Sequence, residues 1–430
     1  MTAPQSSAAP RRVAILGAGP IGLDAALACA ERGWPFTVFE AGDRVGGNVR
    51  AWGHVRLFTP WSMNASPRMH DALDRAGIAV PTGEHDYPSG AELAERLLEP
   101  LAALPVLADH LRLRTAVVAI SRQGMLKNDE IGTGRRAQHP FRLLVAAPDG
   151  TESVHTAELV IDASGSYTRP NTLGDGGIPA PGESSVADRI TRTIPAPAAL
   201  CARYAGRRVL LVGAGKSAQT AARDLAALAE EHPGTEVIWA VRAPDPDWGE
   251  VPADVLPQRQ ELVDVARALT GGERAGVRVL AGVVIDALRP ARDSVVVTLR
   301  ADDGSSEDGS SEDIEVDQII ALTGFVGDTD LYRQLQVHEC YATAAPMNLS
   351  AALLAATGDG PADCLAQTSA GVDALRVPEP NFFVLGMKSY GRNNTFLLRV
   401  GYEQVDEVAG AYGRRSGTAT WSQVAVAKGR

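Results

Sequence analysis

Cysteine is scarce in this chain of 430 residues: there are four, at Cys29, Cys201, Cys340 and Cys364. No two of them are separated by only a few residues, so the sequence lacks the paired sulfurs that disulfide-reducing chemistry passes electrons through. Cys340 and Cys364, taken with His338, match no standard spacing of metal ligands. We therefore predict neither a redox-active cysteine pair nor a bound metal.

Positive charge and long apolar runs are also lacking. Lys and Arg number 41 against 52 Asp and Glu, which gives a formal net charge of -11. Nucleic acids and anionic membranes attract basic surfaces, so the charge argues against both as partners. No apolar run reaches the roughly 18 residues of a membrane span, and residues 1–12 contain no apolar leader. We expect a cytoplasmic protein whose partners are small molecules. The sequence leaves the oligomeric state open, a homodimer included.

Glycine is where the sequence becomes informative. Two glycine-rich turns, GAGPIG at Gly17–Gly22 and GAGKSA at Gly213–Ala218, each lie between a strand-like run and a helix-like run. Such a turn brings the phosphates of a dinucleotide to the first amides of a helix. Two turns at this separation predict two dinucleotide sites. The commonest chemistry that needs both is hydride transfer from a nicotinamide to a flavin.

The first turn has the features of a site for the ADP half of FAD. Gly17 allows the tight bend, Gly19 lets the backbone approach a pyrophosphate beside Pro20, and Gly22 lets helix and strand pack closely. Glu40 follows the second strand-like run, at the distance expected of an acid that binds a ribose 2′-hydroxyl. The alternative is a βαβ unit with the same glycines and a purely structural role.

The second turn predicts a nicotinamide cofactor. Gly213 and Gly215 repeat the first two glycines, whereas the third position is Ala218. Arg242 ends the following strand, where a guanidinium can pair with a 2′-phosphate. We therefore favour NADPH over NADH, with the alternative that Arg242 is a solvated charge at the end of a strand.

The pattern of strands and helices predicts an α/β fold with two Rossmann-like dinucleotide-binding domains, the second inserted into the first. The FAD domain is predicted over 1–190 and 325–430, and the nicotinamide domain over 197–324. We also predict a helix over 90–103, single strands over 111–120 and 279–286, and a solvated loop over the acidic stretch 301–315. Further predicted cofactor contacts are Gly47, Trp61, Val117, Gly165, Lys216, Ser217, Gly324 and Gly386.

The sequence resembles the flavin-containing monooxygenase superfamily over most of its length. The resemblance is carried by the two glycine turns, by DASG at Asp162–Gly165 and LTGF at Leu322–Phe325, and by Tyr87–Ser89 ahead of a helix. The loop Ser62–Pro67 is similar to the one that carries the family's active-site asparagine. By that resemblance Asn64 would contact both flavin and nicotinamide, unless it serves only to stabilise a turn.

One family motif is missing. The Phe-x-Gly-x-x-x-His pattern expected before the second glycine turn is absent; Thr193–Pro195 and Tyr204–Gly206 occupy that region. The chain therefore resembles a divergent relative of the superfamily, nearer to the N-hydroxylating monooxygenases.

Three charged or titrating residues are further candidates for the active site. Lys388 and Arg392 lie in a glycine-rich run before the last helix, where related folds bring backbone amides to the isoalloxazine ring. Both could instead be solvated loop charges. His54, in an aromatic-rich loop, is the side chain there suited to proton transfer near neutral pH.

These features, with the resemblance, predict an FAD-dependent, NADPH-driven monooxygenase. The resemblance implies that it transfers one oxygen atom from O2 to a nucleophilic nitrogen or sulfur of a small molecule. An NAD(P)H-dependent flavin oxidoreductase or oxidase that oxygenates no substrate is the alternative. A non-catalytic sensor of the nicotinamide ratio is a third reading.

Overall fold

The computed structural model describes residues 12–252, 254–272, 276–301, 311–357, 365 and 367–412. Cys364 and most of the acidic stretch 301–315 lie outside the described residues. Among the described helices, none has the length and apolar character needed to cross a bilayer.

Eighteen strands and fourteen α-helices occur in the described residues, and both are numbered here in chain order. The strands are β1 (Val13–Leu16), β2 (Phe36–Phe39), β3 (Leu111–Arg112), β4 (Ala116–Arg122), β5 (Phe141–Ala146), β6 (Glu152–Ala157), β7 (Leu159–Asp162), β8 (Arg169–Pro170), β9 (Ile190–Thr191), β10 (Arg208–Val212), β11 (Glu236–Val241), β12 (Val277–Ala281), β13 (Val283–Pro290), β14 (Val295–Ala301), β15 (Ser311–Val316), β16 (Gln318–Ala321), β17 (Phe325–Val326) and β18 (Phe382–Val384). The helices are α1 (Pro20–Glu31), α2 (Gly47–Ala51), α3 (Trp61–Asn64), α4 (Pro67–Arg75), α5 (Gly90–Leu93), α6 (Glu99–Ala102), α7 (Pro105–Ala108), α8 (Pro197–Tyr204), α9 (Lys216–Glu231), α10 (Pro257–Thr270), α11 (Met347–Thr357), α12 (Val372–Leu375), α13 (Met387–Tyr390) and α14 (Leu398–Gly410).

The chain divides into two compact units. The first comprises the described parts of Met1–Gly53, Thr59–Thr168 and Val326–Arg430, and the second comprises His54–Phe58 and the described parts of Arg169–Phe325. The chain thus leaves the first unit at Thr168, before the end of the first domain that we predicted at residue 190.

The first unit is built on a parallel sheet with the strand order β18-β7-β1-β2-β3. All four residues of β1 are buried, as expected for a central strand covered on both faces. The helix α1 begins at Pro20, whose fixed φ suits the first helical position, and the chain turns at Gly33 (φ +63°) to enter β2. The strands β4, β5 and β6 form a separate antiparallel sheet.

The second unit repeats this plan. Its parallel sheet has the order β12-β11-β10-β16-β9, with β10 in the centre, and β13, β14 and β15 form the antiparallel sheet. The helix α9 connects β10 to the neighbouring parallel strand β11, just as α1 connects β1 to β2. Each glycine turn therefore follows a central strand, at the carboxyl edge of its sheet. That edge is where open α/β sheets bind their ligands.

Two strands predicted as continuous are each divided between two sheets. The predicted strand 111–120 is interrupted at Arg114, whose φ of +50° turns the chain from β3 in the parallel sheet to β4 in the antiparallel one. The predicted strand 279–286 is interrupted in the same way at Gly282 (φ +69°), between β12 and β13. Hydrophobic pattern alone did not show these breaks, because apolar residues recur on both sides of each one.

The predicted helix 90–103 is helical throughout but not regular. A π-helical turn, Ala94–Leu98, separates α5 from α6. Pro100 lies just after it, and proline removes a backbone donor and clashes with the carbonyl four residues earlier. The π turn accommodates that clash without ending the helix.

A buried ion cluster fixes the start of β18. Glu379 accepts hydrogen bonds from Arg122 (Nη2–Oε1 2.7 Å) and from Arg136 (Nη2–Oε2 2.7 Å), and the side chains are at most 1% exposed. The backbone N–H of Gln336 donates to the same carboxylate at 2.9 Å. These contacts tie β18, which leads directly to Gly386, to the antiparallel sheet.

A second ion cluster joins three helices of the first unit. Arg68 of α4 pairs with Asp24 of α1 (Nη1–Oδ2 2.7 Å), with Glu31 (Nε–Oε2 3.0 Å) and with Asp406 of α14. Burial raises the pKa of Asp24 to about 6, although Arg68 acts in the opposite direction. The helix that follows the first glycine turn is thereby held to the C-terminal helix.

Candidate dinucleotide sites

The backbone of the first turn requires glycine at two of its three glycine positions. Gly17 has φ +92°, and a Cβ there would lie 2.7 Å from the Ala163 carbonyl oxygen. A Cβ at Gly22 would lie 1.9 Å from the Gly17 carbonyl oxygen. At Gly19 a Cβ would meet no described atom within 4 Å. Gly19 is also the N-cap of α1 and brings no side chain to cover the helix amides. Close packing at Gly17 and Gly22 thus fixes the backbone of the turn, whereas the space beside Gly19 is open, as a phosphate site needs to be.

Glu40 lies beside this turn, directly after β2. Its carboxylate accepts hydrogen bonds from the backbone N–H groups of Ala18 at 2.7 Å and Gly42 at 2.8 Å. These two bonds fix the carboxylate at the end of the strand and leave further lone pairs for a ribose hydroxyl.

Gly47 lies close to the same turn. Gly46 (φ +70°) donates its N–H to the Ala18 carbonyl at 3.0 Å and caps α2, which starts at Gly47. Gly165 (φ +76°) follows β7, and a Cβ there would meet Asn48 Nδ2 at 2.8 Å. Val117 lies at a β-bulge in β4, two residues after Thr115, whose N–H donates to the Glu40 carbonyl at 2.8 Å.

The second turn has the same shape with one difference. Gly213 has φ +122°, and a Cβ there would lie 2.4 Å from the Leu322 carbonyl oxygen, while Gly215 is open. The methyl group of Ala218 is fully buried and lies 3.6 Å from the Cβ position of Gly213. The second turn therefore accommodates a methyl group where the first turn, at Gly22, does not.

Three polar side chains surround the second turn. Lys216 starts α9, and its Nζ donates to the Trp248 carbonyl at 3.0 Å and to Gln219 Oε1 at 3.2 Å. Partial burial, with the nearby Arg259 guanidinium, lowers the pKa of Lys216 to about 8. Ser217 and Arg242 are exposed, the latter directly after β11.

The predicted contact Gly324 lies where the chain leaves the second unit. It has φ +85°, and its carbonyl accepts the N–H of Asn171 at 2.9 Å. Thr323 Oγ1 donates to the Asn171 carbonyl at 2.9 Å. The outgoing and incoming segments of the chain are thus hydrogen-bonded side by side.

Asn64 is directed at its own loop. Its Nδ2 donates to the carbonyls of Thr59 at 2.7 Å and Pro60 at 2.9 Å, and its Oδ1 accepts from the Thr59 hydroxyl at 2.9 Å. The residue is 1% exposed, and its carbonyl accepts from the Tyr402 hydroxyl at 2.8 Å. The alternative role of Asn64, stabilising a turn, accounts for the three bonds of its side chain, and its contact with flavin stays a prediction.

The other predicted residues of this loop differ in placement. Trp61 is fully buried, and its Nε1 has no hydrogen-bond partner among the described residues. His54 is exposed and belongs to the second unit, where it lines a cavity of about 590 Å³ with Cys201 and His232. The sequence did not indicate that this segment leaves the first unit.

Lys388 forms a buried ion pair, so the alternative that it is a solvated loop charge is wrong. Its Nζ lies 2.6 Å from Asp162 Oδ2, and the side chains are 1% and 0% exposed. It also donates to Ser164 Oγ at 3.2 Å. Asp162 ends β7, next to the first glycine turn, and Lys388 follows β18, so the pair joins two strand ends at the carboxyl edge of the sheet.

The glycine-rich run around Lys388 is held by a group that sequence reasoning missed. Gly386 (φ +71°) donates its N–H to Gln404 Oε1 at 2.8 Å, and Gln404 Nε2 donates to Ser389 Oγ at 3.1 Å. Arg392, in contrast, is exposed. Nothing in the spacing of the sequence distinguishes Gln404 from a surface residue of α14.

Comparisons with known proteins agree with this architecture. The family model of the NAD(P)-binding Rossmann-like domain matches residues 15–75. This segment begins within β1 and contains α1 and β2. In Rossmann-like folds this part binds an ADP moiety, which is common to FAD and NAD(P). No curated protein matches the sequence.

Solved structures match almost the whole chain. Bacillithiol disulfide reductase (YpdA) from Bacillus cereus is 17% identical over 93% of this chain and 98% of its own, with a TM-score of 0.62. Ornithine N-hydroxylase (KtzI) from Kutzneria sp. 744, solved with reduced FAD, NADP+ and L-ornithine, is 16% identical over 95% and 99%, with a TM-score of 0.56. S-allyl-L-cysteine S-oxygenase from Allium sativum is 17% identical over 97% and 81%, with a TM-score of 0.53. The chain therefore has the fold of flavoproteins with two dinucleotide-binding domains, as the sequence predicted.

Proposed function

We propose that this chain is an FAD-dependent, NADPH-driven monooxygenase acting on a nucleophilic nitrogen or sulfur of a small molecule. The observation that carries the proposal is the repeated site. In each unit a glycine turn follows the central strand of a parallel sheet, and its second glycine is open at the start of a helix. Two such sites in one chain fit a bound flavin and a nicotinamide that reduces it.

The first unit suits FAD. Gly17, Gly19 and Gly22 would hold the pyrophosphate at the start of α1, and Glu40 would accept from the ribose of the ADP half. The edge bearing Asp162, Lys388 and the Gly386 turn is the part of this unit that would hold the isoalloxazine. FAD supplies the hydride acceptor and the group that reacts with O2.

The chain's own residues have positioning roles. Lys388, through its bond to Asp162, would keep the ends of β7 and β18 in place. The N-terminus of α14 would favour negative charge on a reduced ring. Exclusion of water from this edge requires closely packed walls, such as fully buried Trp61 and Tyr390.

The second unit suits NADPH. The start of α9, with Lys216, would receive the nicotinamide's pyrophosphate, and Arg242 would pair with the 2′-phosphate.

Replacing Arg242 with serine tests the choice of nicotinamide. We expect KM for NADPH to rise by about 10- to 100-fold, since a charged hydrogen bond contributes roughly 1.5–3 kcal/mol, while KM for NADH stays the same. Steady-state kinetics with both cofactors measure this. Arg292→Ser is the control, because that side chain is 97% exposed and lies in a different strand connection. An equal change for both cofactors would show that Arg242 does not contact the 2′-phosphate.

Oxygenation is favoured over disulfide reduction because the chain lacks neighbouring cysteines. Of the cysteines that the structure describes, Cys29 and Cys340 are buried, Cys201 is exposed, and all three are free thiols. Among these three cysteines, a two-electron exchange with a disulfide substrate through two adjacent protein sulfurs therefore has no pair to use.

The reaction can be tested by screening amines, amino acids and thioethers for stimulated NADPH consumption. A monooxygenase yields a product heavier by one oxygen atom for most NADPH consumed. An oxidase instead yields hydrogen peroxide for most of the NADPH consumed, whatever compound is added. A sensor does not consume NADPH at an enzyme-like rate with any of the compounds.

A further inference from the structure

The segment Ala243–Gly249 folds back from the end of β11 onto the second glycine turn. The carbonyl oxygen of Trp248 accepts two hydrogen bonds there, from Lys216 Nζ at 3.0 Å and from Gln219 Nε2 at 2.9 Å. Lys216 is the first residue of α9, and Gln219 lies one turn further along the helix. The Trp248 carbonyl thus accepts a hydrogen bond from the Lys216 ammonium group, at the start of the helix where a phosphate is predicted to bind.

Trp248 adopts a backbone conformation that a bulky residue rarely takes. Its φ is +57°, in the left-handed region, and such strain costs about 1–3 kcal/mol. The residue is only 4% exposed, and its ring lies 4.7 Å from that of Trp239, whose Nε1 donates to the Gly213 carbonyl at 2.8 Å. Contacts with the glycine turn therefore hold a strained segment in place, as is common at ligand clamps.

The Lys216 ammonium donates to two neutral oxygens in this arrangement, the Trp248 carbonyl and Gln219 Oε1. A neutral carbonyl binds an ammonium less strongly than an anionic oxygen does. Partial burial disfavours the charged form of Lys216 most, and Arg259 repels it, while Asp254 and Asp247 attract it. The start of a 16-residue helix favours an anion at this point. A phosphate would give Lys216 an anionic partner, which binds an ammonium group more strongly than the carbonyl does.

We propose that Ala243–Gly249 is a cover over the second dinucleotide site, and that Lys216 exchanges its bond to the Trp248 carbonyl for a bond to the diphosphate of a bound nicotinamide dinucleotide. This rests on the proposed function of the second unit. Gln219 keeps its bond to Trp248 in the exchange, so the cover is loosened on one side and not released.

The first test is the pH dependence of NADP+ binding to the FAD-loaded protein, measured by calorimetry. Carboxylates and guanidinium groups ordinarily keep their charge between about pH 7 and about pH 9.5, so among Asp247, Asp254, Arg259 and Lys216 only Lys216 changes charge there. Its pKa of about 8 lies within this range. We expect tight binding below pH 8 that weakens above it, because the neutral amine no longer attracts the diphosphate.

Two variants complete this test. Lys216→Met should bind NADP+ about tenfold more weakly at neutral pH and show no step near pH 8. Lys127→Met, at an exposed lysine of the first unit whose Nζ donates to the Arg333 carbonyl, should keep both the affinity and the step. A step that persists in Lys216→Met would overturn the proposal.

The second test is hydrogen–deuterium exchange of the cover. We expect NADP+ to speed exchange in peptides spanning Ala243–Gly249, and Lys216→Met without nucleotide to show the same faster exchange. If NADP+ binds but exchange in these peptides is unchanged or slower, the cover is not displaced, although the function of the unit stands. If NADP+ does not bind at all, the proposed function fails as well.

Discussion

Replacing Gly22 with alanine is expected to weaken FAD binding by at least roughly 100-fold, whereas the equivalent position of the second unit tolerates either residue. A Cβ at Gly22 would lie 1.9 Å from the Gly17 carbonyl oxygen, so the turn and α1 must move apart. Neither atom belongs to a flexible side chain that could move aside. We expect a cost of about 3 kcal/mol or more, equivalent to at least roughly 100-fold weaker FAD binding.

The matched control is Ala218→Gly. Ala218 holds the third position of the second turn, and its methyl group is already accommodated there. Removing it should leave FAD content unchanged and alter the KM for NADPH only slightly. FAD per chain, from the absorption spectrum after purification and after incubation with added FAD, measures both variants. A Gly22→Ala protein that retains one FAD per chain would show that the first turn does not hold the cofactor.

Replacing Lys388 with methionine is expected to destabilise the first unit strongly. Asp162 would keep a buried carboxylate without its cation, and breaking such a pair costs about 3–5 kcal/mol. The loss is expected in the free energy of unfolding of the FAD-loaded protein, measured with denaturant, and in the retention of FAD. Lys388 would thus act by positioning the edge that receives the flavin.

The double variant Lys388→Met with Asp162→Asn separates this explanation from simple loss of packing. A neutral asparagine can still accept the bonds that Ser164 donates to Asp162, so much of the lost stability should return. If the single variant is as stable as the unchanged protein, the buried pair has no structural importance. If the double variant is no more stable than the single one, packing of the lysine chain accounts for the loss.

The parts of the fold that depend on local chemistry could be predicted from the sequence. The glycines of both turns are required by backbone geometry within a few residues, and the strands β1, β2 and β11 lie where their apolar runs indicated. Glu40 lies beside the first turn because α1 connects β1 to β2 and the two strands pair in parallel, as consecutive strands usually do.

Contacts between distant residues could not be predicted in this way. Lys388 and Asp162 are 226 positions apart, and Glu379 and Arg122 are 257 apart. The first pair forms because β7 and β18 end side by side, and the second because β4 ends near the segment that precedes β18. No periodicity in the sequence records either arrangement. The sequence likewise could not show which way the Asn64 amide faces, since the same loop could present it to a ligand or to its own carbonyls.

The most direct test of this account is anaerobic reduction of the purified protein. The account predicts one tightly bound FAD per chain, seen as a yellow protein, which NADPH bleaches faster than NADH does. A colourless protein that takes up no added FAD would contradict it, and so would a bound flavin that neither nicotinamide can reduce.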